Sequence, residues 1–345
     1  MKGRDRPALR PPRRLAGLSL VELMIAITLG LIIMAGLATL FANSSRTRAE
    51  LEKNSRQIEN GRFAMELLSS DLRLAGFYGE LDTRAVAPPG GLVDPCSTAP
   101  ADWAAAFWLH VQGYDNGVGV PVTCTLPNLR PGTDVVVVRR VAACEAGVAG
   151  CPAAQNGLPY LQVSKCATEQ AGTPYVFGLQ GSAAFTLHLR DCATLAGERQ
   201  YFVRIYYISD DNGSGVPIPT LKRRDFTGAG FVDTPLVEGI EQLNIEYGID
   251  TDGDGLPDAY SADPTSYACG TCSAVTNWVN VMTARIYLLS RNIDPSVNFT
   301  DSKTYTLGVD AAGAPVTFTP ADKYHRHVYT GLVRIVNPAQ RREVP

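Results

Sequence analysis

Residues 18–42 read LSLVELMIAITLGLIIMAGLATLFA, with one charged residue, Glu22, and none from Leu23 to Ala42. As an α-helix, such an uncharged run spans about 30 Å, the thickness of the hydrocarbon core of a bilayer. The stretch therefore predicts a helix that is buried in a membrane or against other apolar helices.

The residues before this stretch are basic, and the rest of the chain is acidic. Residues 1–17 carry six lysines and arginines against Asp5, whereas the 345-residue chain as a whole has a net charge of −3. Basic residues ahead of an apolar helix favour a cytoplasmic N-terminus. The acidic remainder argues against a broad basic surface for nucleic acid, and 45 % hydrophobic residues with 19 % charged are typical of a globular protein.

Two ordinary interpretations of the apolar stretch are a secretory signal peptide, with small residues near Ala42, and a simple membrane anchor. Glu22 fits neither, because an ionisable group in an apolar helix is costly unless it is paired. Cleavage after Gly17 would place a new amine on Leu18, one helical turn from Glu22. Pairing of amine and carboxylate, within one chain or between chains, would set the stagger of packed helices.

The run Gly17–Ile25, GLSLVELMI, resembles the class III signal of type IV prepilins and pseudopilins. The resemblance implies that a prepilin peptidase cuts after Gly17 and methylates the new N-terminus at Leu18. It also implies that Glu22 promotes assembly. Leu18 departs mildly from the phenylalanine that is usual at this position.

Helical spacing of apolar residues continues beyond the apolar stretch, with Gly76 as the expected C-cap. One line of apolar residues recurs every seven positions and a second line lies beside it: Leu51, Ile58, Met65 and Leu72, then Leu68 and Ala75. This pattern predicts an amphipathic helix whose apolar stripe packs on a sheet.

Two segments at the end of this helix resemble PilW-type minor pilins. They are Glu59–Ala64, ENGRFA, and Asp71–Phe77, DLRLAGF. The resemblance implies an α+β, type IV pilin-like fold, with a long N-terminal helix packed on an antiparallel β-sheet and disulfide-stapled loop insertions.

The predicted organisation has four parts: a leader peptide at 1–17, a transmembrane and assembly half-helix at 18–42, an amphipathic half-helix at 43–79, and a periplasmic β-rich domain at 80–345. Strands are predicted in runs of β-branched and aromatic residues, at 134–141, 184–189, 201–208, 242–249, 278–290 and 325–336. The Pro/Gly-rich stretches 85–100, 112–132 and 142–175 are predicted to form large insertions, within 85–200, with little core of their own.

The cysteine count is even, which in an exported chain favours disulfides. The candidates are Cys96, Cys124, Cys144, Cys151, Cys166, Cys192, Cys269 and Cys272. Pairs close in sequence, Cys144 with Cys151 and Cys96 with Cys124, form loops at the lowest entropic cost. The C-x-x-C at 269–272 is also compatible with redox or zinc chemistry, but a structural disulfide is favoured.

The segment Asp250–Asp258, DTDGDGLPD, matches the first part of an EF-hand loop. The candidate Ca²⁺ ligands are the carboxylates of Asp250, Asp252, Asp254 and Asp258 and the carbonyl of Leu256. The twelfth position is Ser261 rather than a bidentate glutamate; Asp263 is a possible substitute. An acidic β-turn without calcium remains the alternative.

Other polar motifs predict less. Asp210–Gly215 favours a hairpin loop, and His325 and His327 share a strand face without further metal ligands. The sequence contains no catalytic motif, so an enzyme is not expected. Strands around Gly239–Tyr247 and in residues 282–289 and 324–335 also resemble PilW-like proteins.

The resemblance implies a structural minor pilin that initiates type IV pilus assembly and sits at the pilus tip. Its implied partners are other minor pilins and the major pilin through the N-terminal helix, the prepilin peptidase, and a PilY-type tip adhesin. Its implied location is the inner membrane, single-pass, with the domain in the periplasm, and then the extracellular pilus. A minor pseudopilin of type II secretion and a secreted calcium-stabilised binding module remain open.

Overall fold

The structure is a computed structural model that describes Gly17, residues 19–268, Gly270 and residues 272–343. The chain divides into two compact units, Met1–Glu52 and Lys53–Pro345. The first unit contains, among its described residues, the solvent-exposed first part of a long helix. The second unit contains the sheets.

The helices are α1 (Leu20–Leu74), α2 (Pro100–Ala105), α3 (Ala167–Gln170), α4 (Ala274–Val279) and α5 (Val336–Glu343). The strands are β1 (Val111–Tyr114), β2 (Val135–Val141), β3 (Pro159–Val163), β4 (Tyr175–Leu179), β5 (Glu198–Ser209), β6 (Thr220–Phe226), β7 (Phe231–Glu238), β8 (Ile240–Ile249), β9 (Ala259–Ser261), β10 (Val281–Arg291), β11 (Tyr305–Val309), β12 (Pro315–Phe318) and β13 (Arg326–Arg334).

These strands form antiparallel sheets. A seven-stranded sheet has the order β1-β2-β5-β3-β4, and the β6–β7 hairpin pairs with a second part of β5. A four-stranded sheet has the order β13-β10-β8-β9, and β11 and β12 form a separate hairpin. The predicted α+β fold, a long helix with antiparallel sheets, is confirmed.

The helix α1 ends at Leu74, two residues before the expected C-cap. Gly76 adopts φ +71°, the left-handed conformation that follows many helices and that glycine adopts most easily. Its N–H donates to the carbonyl of Arg139, so the end of the helix is fixed directly to β2.

One hydrophobic core lies between α1, the four-stranded sheet and one face of the seven-stranded sheet, and we call it the helix-side core. The helix contributes Ala64, Leu68 and Leu72, and the sheet contributes alternate residues such as Leu243, Ile245, Ala284, Ile286 and Leu288. Packing of one helix stripe against the inward face of a sheet produces this layer.

The predicted heptad stripe is partly wrong. Leu51 and Ile58 are exposed, and the buried line instead runs through Gln57, Gly61, Ala64 and Leu68. Small and polar residues face the sheet where apolar residues were expected, because Gln57 donates to the carbonyl of Ser290 at 3.0 Å and Gly61 lies against the ring of Tyr329.

A second core contradicts the prediction that the insertions have little core of their own. We call it the insertion core, and it includes Trp103, Phe107, Leu161, Tyr201 and Val137. Aromatic side chains fill it: the ring centroids of Phe107 and Tyr201 lie 5.6 Å apart. The prediction missed it because the contributing apolar residues are far apart in sequence and show no local period.

The strand β2 separates the two cores. Val136 and Val138 face the helix-side core, whereas Val135 and Val137 face the insertion core. A strand buried on both faces is expected to be continuously apolar rather than alternating, which explains the run VVVV.

Two strand predictions need correction. Residues 184–189 form no strand: the N–H of Leu187 donates to the side chain of Gln162, and that of Leu189 donates to Thr194 in a tight turn. Residues 278–280 were predicted as the start of a strand, but they form the end of helix α4, which Ser273 caps, and β10 begins after them. The side chain of Trp278 packs on Tyr247.

Candidate functional site

The first part of α1 exposes an apolar surface. Its most apolar window has a mean hydropathy of 2.4, and the helix is long and apolar enough to cross a membrane. Leu20, Ile32 and Phe41 are all more than half exposed. Gly17 is described and exposed, whereas Leu18 and the leader residues 1–16 lie outside the described residues.

Glu22 and Ser19 form a reciprocal cap at the start of this helix. The carboxylate of Glu22 accepts from the N–H of Ser19 at 2.9 Å, and the hydroxyl of Ser19 accepts from the N–H of Glu22 at 3.2 Å. This is a capping box, in which the two residues satisfy backbone N–H groups that have no partner inside the helix. The signal, S-x-x-E before an apolar run, was present in the sequence but was not interpreted.

Hydroxyl groups within the apolar segment are bonded to the helix itself. Thr28 donates to the carbonyl of Ile25 at 2.9 Å, and Thr39 donates to that of Gly36 at 2.8 Å. Such bonds satisfy the hydroxyls without water, which suits a helix in an apolar environment.

The ENGRFA segment provides the closest approach of helix to sheet. The Asn60 side chain donates to the carbonyl of Glu238 at 3.0 Å. A Cβ on Gly61 would lie 2.1 Å from Cε2 of Tyr329, so a side chain larger than hydrogen does not fit there. The motif residues therefore allow helix–sheet contact rather than forming a site for chemistry.

The DLRLAGF segment contributes a buried ionic clamp. Asp71 accepts from Nε of Arg140 at 2.6 Å, from Arg204 at 2.8 Å and from the hydroxyl of Tyr206 at 2.8 Å. Burial raises the pKa of Asp71, but Arg204 and Arg140 outweigh burial and hold the pKa below its usual value. The clamp fastens the end of α1 to β2 and β5.

A second buried ionic cluster joins β8 to the last strand, β13. Arg326 in β13 is fully buried and donates to both oxygens of Glu241, at 2.5 and 3.1 Å. It also pairs with Asp322 at 2.6 Å and Asp301 at 3.3 Å. The pair of Glu241 and Arg326 thus links two PilW-like segments, residues 239–247 and 324–335. Sequence spacing gave no signal for this pair.

The acidic loop brings three of its four aspartates together. Asp250, Asp252 and Asp254 each place a ligand atom within 4.8 Å of the others. Asp250 is fully buried and accepts from the N–H groups of Gly253 and Gly255. The loop is therefore shaped for convergent carboxylates.

Asp258 does not join the other three aspartates. Its carboxylate accepts from the backbone and the hydroxyl of Thr251, both at 2.7 Å, and these bonds lower its pKa. Asp263 instead caps a short turn through the N–H of Thr265. Leu256 is exposed, and its N–H donates to the carboxylate of Asp254 at 2.7 Å.

A cation from elsewhere in the chain already faces the loop. Arg342 in α5 donates to Asp250 at 2.9 Å and to the side chain of Asn280 at 2.6 Å. Burial raises the pKa of Asp250, but the bonds from Arg342, Gly253 and Gly255 lower it overall. Sequence spacing gave no signal for this partner, which lies 92 residues away.

Two of the disulfides are the pairs that spacing favoured, and a third pair was not predicted. Disulfides join Cys96 to Cys124, Cys144 to Cys151 and Cys166 to Cys192. Cys272 is disulfide-bonded, and Cys269 lies outside the described residues. The bonded state of Cys272 favours the structural interpretation of the C-x-x-C.

The remaining polar motifs have structural surroundings. His325 stacks on Phe299 with ring centroids 3.7 Å apart, and His327 packs against Tyr329. The segment Asp210–Gly215 connects β5 and β6, which pair up to Ser209 and Thr220, so the expected hairpin loop is confirmed.

Two family models match this chain. The prokaryotic N-terminal methylation motif matches residues 12–38, and type IV pilus-assembly protein W matches residues 205–337. The second match covers β6 to β13 and part of β5, including the acidic loop and the Glu241–Arg326 pair.

Among solved structures, a type IV-like pilin from Thermus thermophilus matches with 14 % sequence identity and a TM-score of 0.27, over 61 % of this chain and 81 % of that chain. No curated protein matches.

Proposed function

We propose that this chain, which is a PilW-like minor pilin, acts structurally in the initiation of type IV pilus assembly and occupies the pilus tip. The observation that carries the proposal is the combination of a prepilin methylation motif on an exposed apolar helix with a PilW-type domain. An apolar helix of this kind must be buried in a membrane or against other helices, so the chain functions among other pilus components.

The same proposal includes maturation of the N-terminus. A prepilin peptidase removes residues 1–17 and methylates Leu18, in the inner membrane, and the domain faces the periplasm. The capping box engages one carboxylate oxygen of Glu22, which leaves the other oxygen to accept from the amine of Leu18 or of a neighbouring helix. Glu22 thereby sets the axial stagger against other minor pilins and the major pilin.

The role of Glu22 in assembly is tested with two variants. We expect Glu22→Ala to be cleaved normally but to be lost from sheared filaments, because it lacks both the cap and the charge. Glu22→Gln keeps the cap, since glutamine also serves in a capping box, but it lacks the charge. Normal incorporation of Glu22→Gln would contradict charge pairing and leave only the cap.

We also propose that the acidic loop binds Ca²⁺ through Asp250, Asp252, Asp254 and the carbonyl of Leu256. The support is the convergence of three carboxylates with a single facing arginine, since calcium prefers several oxygen ligands. Asp258 would first have to leave Thr251, so weak affinity is expected. Bound calcium would stabilise the loop.

Thermal unfolding of the full chain in detergent micelles tests calcium binding. We expect chelation by EGTA to lower the Tm and added CaCl₂ to restore it, as for any ligand that binds only the folded state. Asp252→Ala should abolish this response. Asp191→Ala, which removes another turn-capping aspartate, should keep it. A wild-type Tm that is insensitive to EGTA would contradict the proposal.

The two alternative functions differ from this proposal in the assembly system that the chain serves or in the cleavage site at its N-terminus. Deleting the gene, shearing surface filaments and quantifying the major pilin, with complementation as control, separates two of them. Loss of filaments with intact secretion supports pilus initiation, whereas normal filaments with trapped secreted enzymes would indicate a type II minor pseudopilin. An N-terminus near residue 43 rather than at Leu18 would indicate a secreted binding module. Co-purification with a PilY-type adhesin tests the tip position.

A further inference from the structure

A cavity of about 250 Å³ lies beside α5, on the part of the domain that follows the end of α1. Arg341 and Arg342 contribute one side of it, and Arg84 contributes another. Phe107 and Trp108 line it with apolar surface, as does Pro338. No part of the acidic loop lines this cavity.

The charges along the cavity wall are unequal. Asp82 is the one acidic residue in the lining, and it is engaged by Arg84 at 2.9 Å. Arg342 is neutralised by Asp250. These pairs leave Arg341 without a carboxylate partner of its own.

Arg341 is held in place by neutral acceptors. It donates to the carbonyls of Asn337 and Gly76 and to the hydroxyl of Thr83, at 2.9 to 3.0 Å. Within the described part of the chain, none of its hydrogen-bond partners is a carboxylate. Part of the side chain is exposed, and burial of the remainder lowers its pKa more than the nearby Tyr78 and Asp82 raise it.

His110 supports the same electrostatic picture. It is buried in the cavity wall, and its Nε2 lies 2.7 Å from the carbonyl of Val281. Burial, with a smaller effect from the positive charges of Arg341 and Arg342, lowers its pKa to about 4. The histidine is therefore neutral near pH 7, and the positive charge in the cavity wall comes from its arginines.

We propose that this cavity binds a small organic anion, a carboxylate carried on an apolar body. A guanidinium presents several N–H donors in a planar fork that matches a carboxylate, so Arg341 with Arg84 would hold the charged end. Phe107, Trp108 and Pro338 would cover the apolar body. The cavity volume lies near the lower end of the range for ligand sites, which limits the body to about one ring.

The apolar walls distinguish this ligand from a simple inorganic anion. A hydrated phosphate would lose water against Phe107 and Pro338 without compensation, whereas an aromatic ring gains from that contact. None of the lining residues belongs to the apolar helix or to the acidic loop, but Arg342 reaches from the cavity to Asp250 of that loop.

The experiment uses the full chain in detergent micelles, with benzoate as the probe and tryptophan fluorescence as the signal, since Trp108 lines the cavity. Benzyl alcohol presents a similar ring without charge, and inorganic phosphate presents charge without the ring. We expect saturable quenching by benzoate alone, and its loss in Trp108→Phe. Equal responses to benzoate and benzyl alcohol, or no saturable response to benzoate, would overturn the proposal.

Arginine variants test the charged end of the site. We expect Arg341→Gln to weaken benzoate binding about tenfold or more, because it removes the guanidinium that would pair with the carboxylate. Arg84→Gln changes a largely exposed side chain and should weaken binding several-fold without unfolding the domain, so it serves if Arg341→Gln does not fold. Arg190→Gln, at an exposed arginine outside the cavity, is the matched control. Equal weakening by Arg190→Gln would contradict the site.

The carboxylate could belong to a free small molecule or to the end of a polypeptide. Binding of N-acetylphenylalanine is compared with that of benzoate, and N-acetylphenylalanine amide serves as the uncharged control. Tighter binding of N-acetylphenylalanine assigns the ligand to a chain terminus, whereas tighter binding of benzoate assigns it to a free anion. Binding of the amide as tightly as the acid would overturn the proposal.

Discussion

The helix-side core and the insertion core lie on opposite faces of β2, yet they are built differently. The helix-side core is mostly aliphatic and is ordered by one long helix with alternating strands. The insertion core is rich in aromatic rings, and disulfides close the loops around it. The comparison teaches that residues without a local hydrophobic period can still build a core when large rings and covalent links replace regular packing.

The largest expected effect concerns the clamp that joins the helix to both sheet strands. We expect Asp71→Asn to lower the free energy of unfolding by about 3–5 kcal/mol, because it leaves the buried Arg140 without its counter-charge. Chemical denaturation of the full chain in micelles measures the change. Asp225→Asn is the control, because Arg204, which also pairs with Asp71, has Asp225 as a second, partly exposed partner. This variant should lower the free energy of unfolding by about 1 kcal/mol or less. Equal losses of unfolding free energy in the two variants would show that the buried clamp stabilises the fold no more than a partly exposed ion pair does.

The disulfides test whether the insertion core depends on covalent links. Removal of a disulfide restores conformational freedom to the unfolded chain. The Cys96→Ser and Cys124→Ser double variant should therefore lower the free energy of unfolding by about 3.6 kcal/mol, because the loop spans 28 residues. The Cys144→Ser and Cys151→Ser double variant, with a separation of 7, should cost about 2.4 kcal/mol.

Tryptophan fluorescence shows which core responds to these changes. Trp103 lies in the insertion core and Trp278 in the helix-side core. The denaturation midpoint reported by Trp103 should shift more than that reported by Trp278. Identical shifts at both tryptophans would show that the two cores unfold as one unit.

A buried carboxyl group at the junction between the two sheets makes the free energy of unfolding depend on pH. Asp134 precedes β2 and accepts from the N–H of Ile245 in β8 at 2.7 Å, and burial raises its pKa to about 8. Between about pH 4 and pH 8 the folded state therefore keeps a proton that the unfolded state releases. This group makes stability fall as pH rises through that window, by up to about 1.4 kcal/mol per pH unit.

Asp134→Asn isolates this contribution. The variant should lose the downward slope between pH 4 and pH 8, whatever its absolute stability, when unfolding is measured across that range. An unchanged slope would mean that Asp134 ionises in the folded protein as it does in the unfolded chain.

The smallest expected effect concerns the N-terminal caps of two short helices. Ser273 caps α4 beside the helix-side core through the N–H of Thr276, whereas α3 has Cys166 at its cap without a side-chain bond. Ser273→Ala should cost about 1 kcal/mol, the usual value of a lost N-cap. Ser273→Asp, which retains a capping oxygen, should recover most of that loss in the same denaturation assay.

The sequence predicted the parts of the fold that have local signals. The apolar helix, the run VVVV and the strands around Leu243 and Ile286 all carry a period or a continuous apolar pattern. The insertion core could not be predicted in this way, because Trp103, Leu161 and Tyr201 meet only after long-range pairing. The outward position of Ile58 also escaped prediction, since the sheet approaches α1 on the side of Gly61.

The candidate sites show the same limit. The spacing of Asp250, Asp252 and Asp254 predicted their convergence, because neighbours in a tight loop share one turn. The pairing of Asp250 with Arg342, of Asp71 with Arg140, and of Glu241 with Arg326 joins residues far apart in the chain. Such partners become apparent only when the strands and helices are placed.

Two adjacent arginines of α5 hold together two segments of the domain that are far apart in sequence. Arg341 reaches Gly76 and Thr83 at the end of the first helix, and Arg342 reaches Asp250 and Asn280. Loss of α5 would therefore free both attachments at once, the one at the turn after α1 and the one at the acidic loop. The short helix thus couples the two segments mechanically, so that opening of either attachment would loosen the other.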